Sequence, residues 1–322
     1  MACVAGGVRK GNSQDLKGIV SLYQEVFPHF QMDEELWKWL FTECPYGPAI
    51  VSVIEDASSK IVAHYAINAC PFEVSGRMVY GGLGSGLMVA PAYRNPSTVK
   101  LLFEHLVLQA RSAGLAFVHG YPNERSWIVL QRLMGWKPQA TIVEIDLRES
   151  RLHDAGDVSE RLVLQDAYPR QLTKWTVSGG CVVAPIRDRG WMNWRFQMHP
   201  RRNYRPLVWL QSGKEMAYAV LKDFVPEREP PRRHVVDWWV APSQGPGVLP
   251  RIVGDIIRLS TSQSFSGVTL WAASQGKLHE TLLELGGKAS GRTTHHGVFW
   301  LREDVCGEPM RWHLNMADSD VY

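Results

Sequence analysis

The chain has 322 residues, 35 Lys+Arg against 32 Asp+Glu and a net charge of +3, a length that suits two domains of about 150 residues. Hydrophobic residues make up 45% and charged residues 21%, which excludes a disordered chain, and the near-balance of charge argues against a dedicated nucleic-acid or membrane-surface binder. Cys3, Cys44, Cys70, Cys181 and Cys306 are scattered without a CxxC pair, no apolar run approaches the ~18 residues of a membrane span, and no basic-then-apolar leader opens the chain, so a reducing cytoplasm is the expected compartment.

Apolar residues Leu16, Ile19, Val20, Leu22, Tyr23, Val26 and Phe27 recur at helical spacing and predict a helix over 15–27. Asp33 or Glu34 caps a second helix holding Leu36, Trp37, Trp39, Leu40 and Phe41, which Pro45 ends. Three strands follow over 49–55, 61–74 and 78–89, joined by turns at 56–60 and Ser75-Gly76. A helix over 99–111, a strand over 115–119, a helix closing on Gly135 and a strand over 140–147 complete a first unit. Residues 148–161 are charged and nearly without apolar positions, the composition of a linker, which divides the chain into domains 1–147 and 166–322 around a linker at 148–165. The second unit repeats the plan with strands over 206–211, 217–223 and 234–240, a helix over 248–260, a strand over 268–272 and a helix closing on Gly286.

That order is a repeat. Val89-Ala90-Pro91 recurs half a chain later as Val240-Ala241-Pro242, each followed by a proline-bearing loop and a helix, and Gly135 recurs at the same interval as Gly286. The expected fold class is α/β, an α+β mixed sheet built twice in tandem.

The strand-to-helix turn from Val89 to Val99 has the build of an anion site. Asn95 can cap the helix and Pro96 suits its first turn, so Ser97, Thr98 and Val99 are expected to supply N–H groups beside the Arg94 charge. Here Val89, Pro91, Tyr93 and Arg94 resemble the V-x-P-x-[YW]-R-G-x-G-x-A motif of the GNAT superfamily of acyl-coenzyme A dependent N-acyltransferases, with Ser97 and Val99 standing where the family has later motif residues. The order of elements over 8–147 resembles that family too, and the whole chain resembles bacterial tandem-GNAT proteins. The resemblance implies acetyl-CoA or another acyl-CoA as co-substrate, its pyrophosphate on the loop that contains Tyr93 and Arg94, its thioester carbonyl facing backbone N–H groups near Met88 and Val89, and a role for Asn123 after the fifth strand. The corresponding loop of the second unit, at 243–247, is a rival for the coenzyme.

Acyl transfer to an amine needs a base for the ammonium and an acid for the thiolate. His119, at the end of a strand close to Asn123, is the first candidate base, because an ordinary imidazole accepts a proton near pH ~6.5; Glu73 and Asp237 are weaker candidates. Many GNAT enzymes use a tyrosine where this chain has Gln131, which leaves Tyr121 or water for the acid step. In the second half, Trp238 is a candidate cleft wall, since neighbours Trp238 and Trp239 on one strand face opposite ways. Asp318 and Asp320, alternating around Ser319, would face one side of an extended tail and attract a protonated amine. No metal site is expected. The expected partner is a small-molecule amine, an amino sugar (nucleotide-linked in some tandem-GNAT proteins) or a secondary metabolite. Two other readings stand beside this one: a catalytically silent binding or scaffold protein with a worn coenzyme loop, and a Fem-type transferase drawing aminoacyl groups from tRNA, against which the near-neutral charge weighs.

Overall fold

The computed structural model describes residues 7–148, 162–169, 182–227, 229–240, 248–274, 276–305 and 310–319. The first half runs β1 (Val8–Lys10), α1 (Leu16–Val26), α2 (Glu34–Phe41), β2 (Ile50–Glu55), β3 (Ile61–Val74), β4 (Arg77–Val89), α3 (Pro96–Ser112), β5 (Phe117–Gly120), α4 (Glu124–Met134) and β6 (Lys137–Leu147). The second runs β7 (Val163–Gln165), β8 (Val182–Pro185), α5 (Arg189–Met192), β9 (Tyr204–Gln211), β10 (Lys214–Phe224), β11 (Arg232–Val240), α6 (Val248–Thr261), β12 (Val268–Ala273), α7 (Lys277–Glu284), β13 (Lys288–Trp300) and β14 (Arg311–Trp312). Local chemistry sets the ends: Asp33 accepts from the Leu36 N–H to cap α2, and Gly135 closes α4 in the left-handed region at φ +70°.

The strands form one mixed sheet in the order β1-β2-β3-β4-β5-β13-β6-β12-β11-β10-β9-β7, with β8 pairing the end of β3. The two halves share an element plan: an antiparallel pair, a helix, a strand parallel to the one before that helix, a second helix and an antiparallel strand. The last strands are exchanged. β13 of the second half lies between β5 and β6, and β6 of the first lies between β13 and β12. A boundary drawn at 147 therefore separates chain segments, while the hydrogen-bonded sheet runs across it.

Three cores line the sheet. The largest joins α1, α2 and α3 to Trp191, Trp194 and Phe196 of the second half, and a second packs α6 on β9–β12. Trp39 and Trp194 stack at 5.1 Å, and each indole N–H donates to the other residue's carbonyl, at 3.0 and 2.9 Å. This pair ties α2 to the segment after α5. Trp239 enters the first core and Trp238 packs against the second. The strand carrying them is covered on both faces, which removes the reason for expecting Trp238 on a binding-cleft wall.

Candidate active site

β4 and β5 are parallel but paired only where Gly81–Leu83 meet Phe117–His119. Beyond that point they part. β4 carries a bulge there: Ser85 pairs Ala66 and Met88 pairs His64, three steps on one strand against two on the other. Gly86 sits in the bulge at φ +64°, where an added Cβ would lie 2.4 Å from the Tyr23 hydroxyl oxygen, so any side chain there is strained. His64 Nδ1 donates to the Gly86 carbonyl at 2.8 Å and holds the bulge from behind. Past the bulge, the Ala90 N–H donates to Val62 of β3 at 2.8 Å. Backbone N–H groups alternate between strand edges, so the Val89 N–H points to the opposite edge, into the space that β5 has left, while that of Met88 faces β3. Of the two N–H groups expected to face a thioester carbonyl, only that of Val89 has the direction.

A cleft of ≈ 980 Å³ opens at the parting, with Met88, Val89, Arg94, Asn95, Val99, Tyr121 and Asn123 on its walls. The N-termini of α3 and α4 both meet it, and both are capped by asparagine: Asn95 accepts from the Thr98 N–H at 2.9 Å, Asn123 from the Ser126 N–H at 3.0 Å. Two helix dipoles thus present their positive ends to one space. Arg94 is exposed at its mouth, with Nε donating to the Val89 carbonyl at 3.0 Å.

Several expectations change. Capping occupies the Thr98 N–H, and the Val99 N–H turns to the Asn95 carbonyl at 3.3 Å, so two of the three donors expected in this turn are taken by the helix itself. Thr98 is buried under the helix, and neither it nor Ser97 belongs to the cleft wall. Tyr93 points away, donating to Asp56 of the β2–β3 turn at 3.0 Å, which makes it a brace for the loop. The rival loop at 243–247 and Asp320 lie outside the described residues.

His119 and Tyr121 flank the parting. Burial, with the Arg187 charge adding to it, pushes the His119 imidazole down to about 3, and its Nδ1 lies 3.4 Å from His296 Nε2. The expectation of an ordinary imidazole fails for that reason: this ring is neutral at pH 7 and binds a proton weakly. Burial pushes the Tyr121 hydroxyl well above the usual phenol range, and it has no hydrogen-bond partner among the described residues. The Ser85 hydroxyl, on the cleft wall one residue before Gly86, is also buried and unpartnered among them.

Behind the parting lies a smaller cavity of ≈ 50 Å³, bounded by Leu83, His119, Asn68, Arg187, Arg195 and Asp318 among others. The cleft begins at Gly84 and Gly120, the very next residues, and Leu40 belongs to both walls. Asp318 is buried in a short turn over Met316–Asp318. It is ion-paired to Arg187, and no free carboxylate of an extended tail is available there. Asp237, fully buried, accepts from Arg187 at 3.1 Å, Tyr218 at 2.9 Å and Asn315 at 2.7 Å. These contacts and its complete burial make it a brace for the site rather than a carboxylate open to the cleft. Burial by itself would lower the Arg187 guanidinium; Asp237 and Asp318 outweigh it and hold it well above its ordinary range. Sequence reasoning missed Asn68, Ser85 and Arg187, since none stands in a motif.

Residues 7–138 match the family model described as the acetyltransferase (GNAT) domain. Solved structures of similar fold include a GCN5-related N-acetyltransferase from Anabaena variabilis (TM-score 0.67, 12% identity, 93% of this chain and 74% of that one) and one from Kribbella flavida (0.67, 12%, 95% and 74%). Saccharomyces cerevisiae N-myristoyltransferase with bound myristoyl-CoA also matches, with a TM-score of 0.59, 10% identity and coverage of 93% and 83%. Comparison with curated proteins gives no match. Residues 7–138 are thus similar to GNAT acetyltransferase domains, and the mixed sheet is similar in fold to those of the solved N-acetyltransferases.

Proposed function

We propose that the chain is an acyl-CoA dependent N-acyltransferase acting on a small-molecule amine, an amino sugar or a secondary metabolite. The observation that carries this reading is the parting of β4 and β5 at a glycine bulge, with the Val89 N–H, two helix N-termini and Arg94 around one cleft. These groups suit a diphosphate joined to a thioester: positive ends and a guanidinium for the anion, a directed N–H for the carbonyl oxygen. Acyl-CoA, when bound, supplies the activated thioester. Tyr121 stays protonated at neutral pH and donates to the departing thiolate; Val89 polarises the carbonyl; Arg94 grips the diphosphate. His119 stands at the border of cleft and cavity as a neutral wall for the incoming amine, whose proton leaves to water. The likeness of fold to a myristoyl-CoA complex and to N-acetyltransferases supports a donor of this class and leaves the acyl length open.

Calorimetric titration with acetyl-CoA tests the reading. Wild type is expected to bind saturably, and Arg94→Ala to weaken binding about tenfold or more, the scale of a charge-assisted hydrogen bond. Absence of binding to any acyl-CoA would favour the silent-scaffold reading, whose specific support is the loss of the Thr98 and Val99 N–H groups to the helix's own cap.

A further inference from the structure

The mechanism above uses the cleft and leaves the smaller cavity without a task. Asn68 lies on β3 opposite Leu83, 6% exposed, on the wall of that cavity. Among the described residues neither its side-chain oxygen nor its nitrogen has a partner. Native interiors pair such groups almost without exception, so a buried carboxamide open on both its acceptor and its donor calls for a ligand that offers one of each.

The charges around it define what kind. Arg187 is matched by Asp237 and Asp318, and Arg195 donates to the Ala317 carbonyl at 3.1 Å and the Ser319 carbonyl at 3.1 Å. Two guanidinium groups and two carboxylates balance, so a charged end on the ligand would meet no counter-charge. A neutral end pairs with Asn68 at no such cost. Trp39, Trp191 and Trp194 add an aromatic wall. One water takes about 10–15 Å³ of such space, so the ≈ 50 Å³ cavity admits a group of about three or four heavy atoms. Its contiguity with the cleft, residue by residue along β4 and β5, puts that group on the acceptor's side of the parting.

We propose that this cavity seats the far end of the acyl acceptor and that Asn68 selects an amine bearing a neutral hydrogen-bonding group, a hydroxyl in the simplest case, over a plain alkylamine. The assignment rests on the acyl-transfer reading, and its test is built to fail separately. 4-Amino-1-butanol and pentylamine, matched in length, are titrated into wild type and Asn68→Leu, with acetyl-CoA titrated into both proteins in parallel. Wild type is expected to bind the amino alcohol about tenfold more tightly than the alkylamine. Asn68→Leu is expected to lose that preference with acetyl-CoA affinity unchanged and a melting temperature no lower than wild type, because an apolar side chain of similar shape replaces an unpaired polar one. A purely structural Asn68 predicts the reverse: a lower melting temperature and an intact preference. Equal preference in the two proteins, or no binding of either amine to wild type, overturns the subsite while acetyl-CoA binding keeps the acyl-transfer reading alive. Loss of the preference in Asn68→Leu without acetyl-CoA binding to wild type keeps the subsite and removes acyl transfer. Should Asn68→Leu not fold, Asn68→Ala makes the same comparison.

Discussion

His119 and Tyr121 stand two positions apart at the end of β5, and burial drives their proton affinities in opposite directions. Low dielectric disfavours the charged form of each: the imidazole sheds its proton and the phenol keeps its own. On the proposed reading, that asymmetry leaves Tyr121 protonated as the candidate donor and weighs against His119 as the acceptor from an ammonium. Tyr121→Phe is therefore expected to lower kcat about a hundredfold, the ordinary worth of a positioned acid, with KM for acyl-CoA and the melting temperature nearly unchanged. Steady-state kinetics beside thermal melting check this, and an unaltered kcat would take the hydroxyl out of the mechanism. Both residues are visible in the sequence as polar groups closing a short strand. What they can do there is not, because a pKa is a property of the surroundings, and Phe72, Trp312 and His296, all in ring contact with His119, come from distant parts of the chain.

At the scale of the element, the site depends on one irregularity in β4. Gly81, Gly82, Gly84 and Gly86 stand close together in the sequence, yet they serve different ends. A Cβ at Gly81 would lie 2.3 Å from the Phe117 ring and one at Gly82 2.2 Å from Ile67, so these two permit close packing of strand and core. Gly86 alone has a left-handed backbone and turns the strand edge that carries the Val89 N–H. Gly86→Ala forces a side chain into that conformation and against Tyr23 and His64. The expected result is a loss of about 1–3 kcal/mol in stability with a weaker acetyl-CoA affinity, measured by denaturant unfolding and calorimetry; a variant that bound the coenzyme normally would show that the bulge is not needed. Asn95 illustrates the other side of element-scale reasoning. Its capping role was legible from Asn95-Pro96, but the same cap consumes a donor that a reading of isolated N–H groups assigns to the ligand.

Across the whole molecule, burial of histidine gives the fold a pH dependence. His64 and His313 are pushed down to about 4, and His119, His199 and His234 to about 3, chiefly by burial. Each folded value lies below the ~6.5 of an exposed imidazole, so the unfolded chain takes up protons first as pH falls. The stabilisation is complete above pH ~6.5 and is lost as pH falls from there toward the folded values of about 3 to 4. The melting temperature is expected to be clearly lower at pH ~5 than at pH ~7.5; a flat profile between them would mean that these rings are not buried as described. Local pattern alone determined much about this protein: α1 and α2 from apolar spacing, β2–β4 from alternation and turns, the half-chain repeat, and the strand-to-helix turn that carries Arg94. Those features depend on neighbours within a few residues, which is the range over which periodicity and capping act. Tertiary structure alone decided the exchange of β6 and β13, the covering of β11 on both faces that packs Trp238 against a core, the Arg187 ion pairs that claim Asp237 and Asp318, and the unpaired carboxamide of Asn68. Each of these is a partnership between residues far apart in the chain, and the burial that gives it its energy exists only once the two halves have closed one sheet.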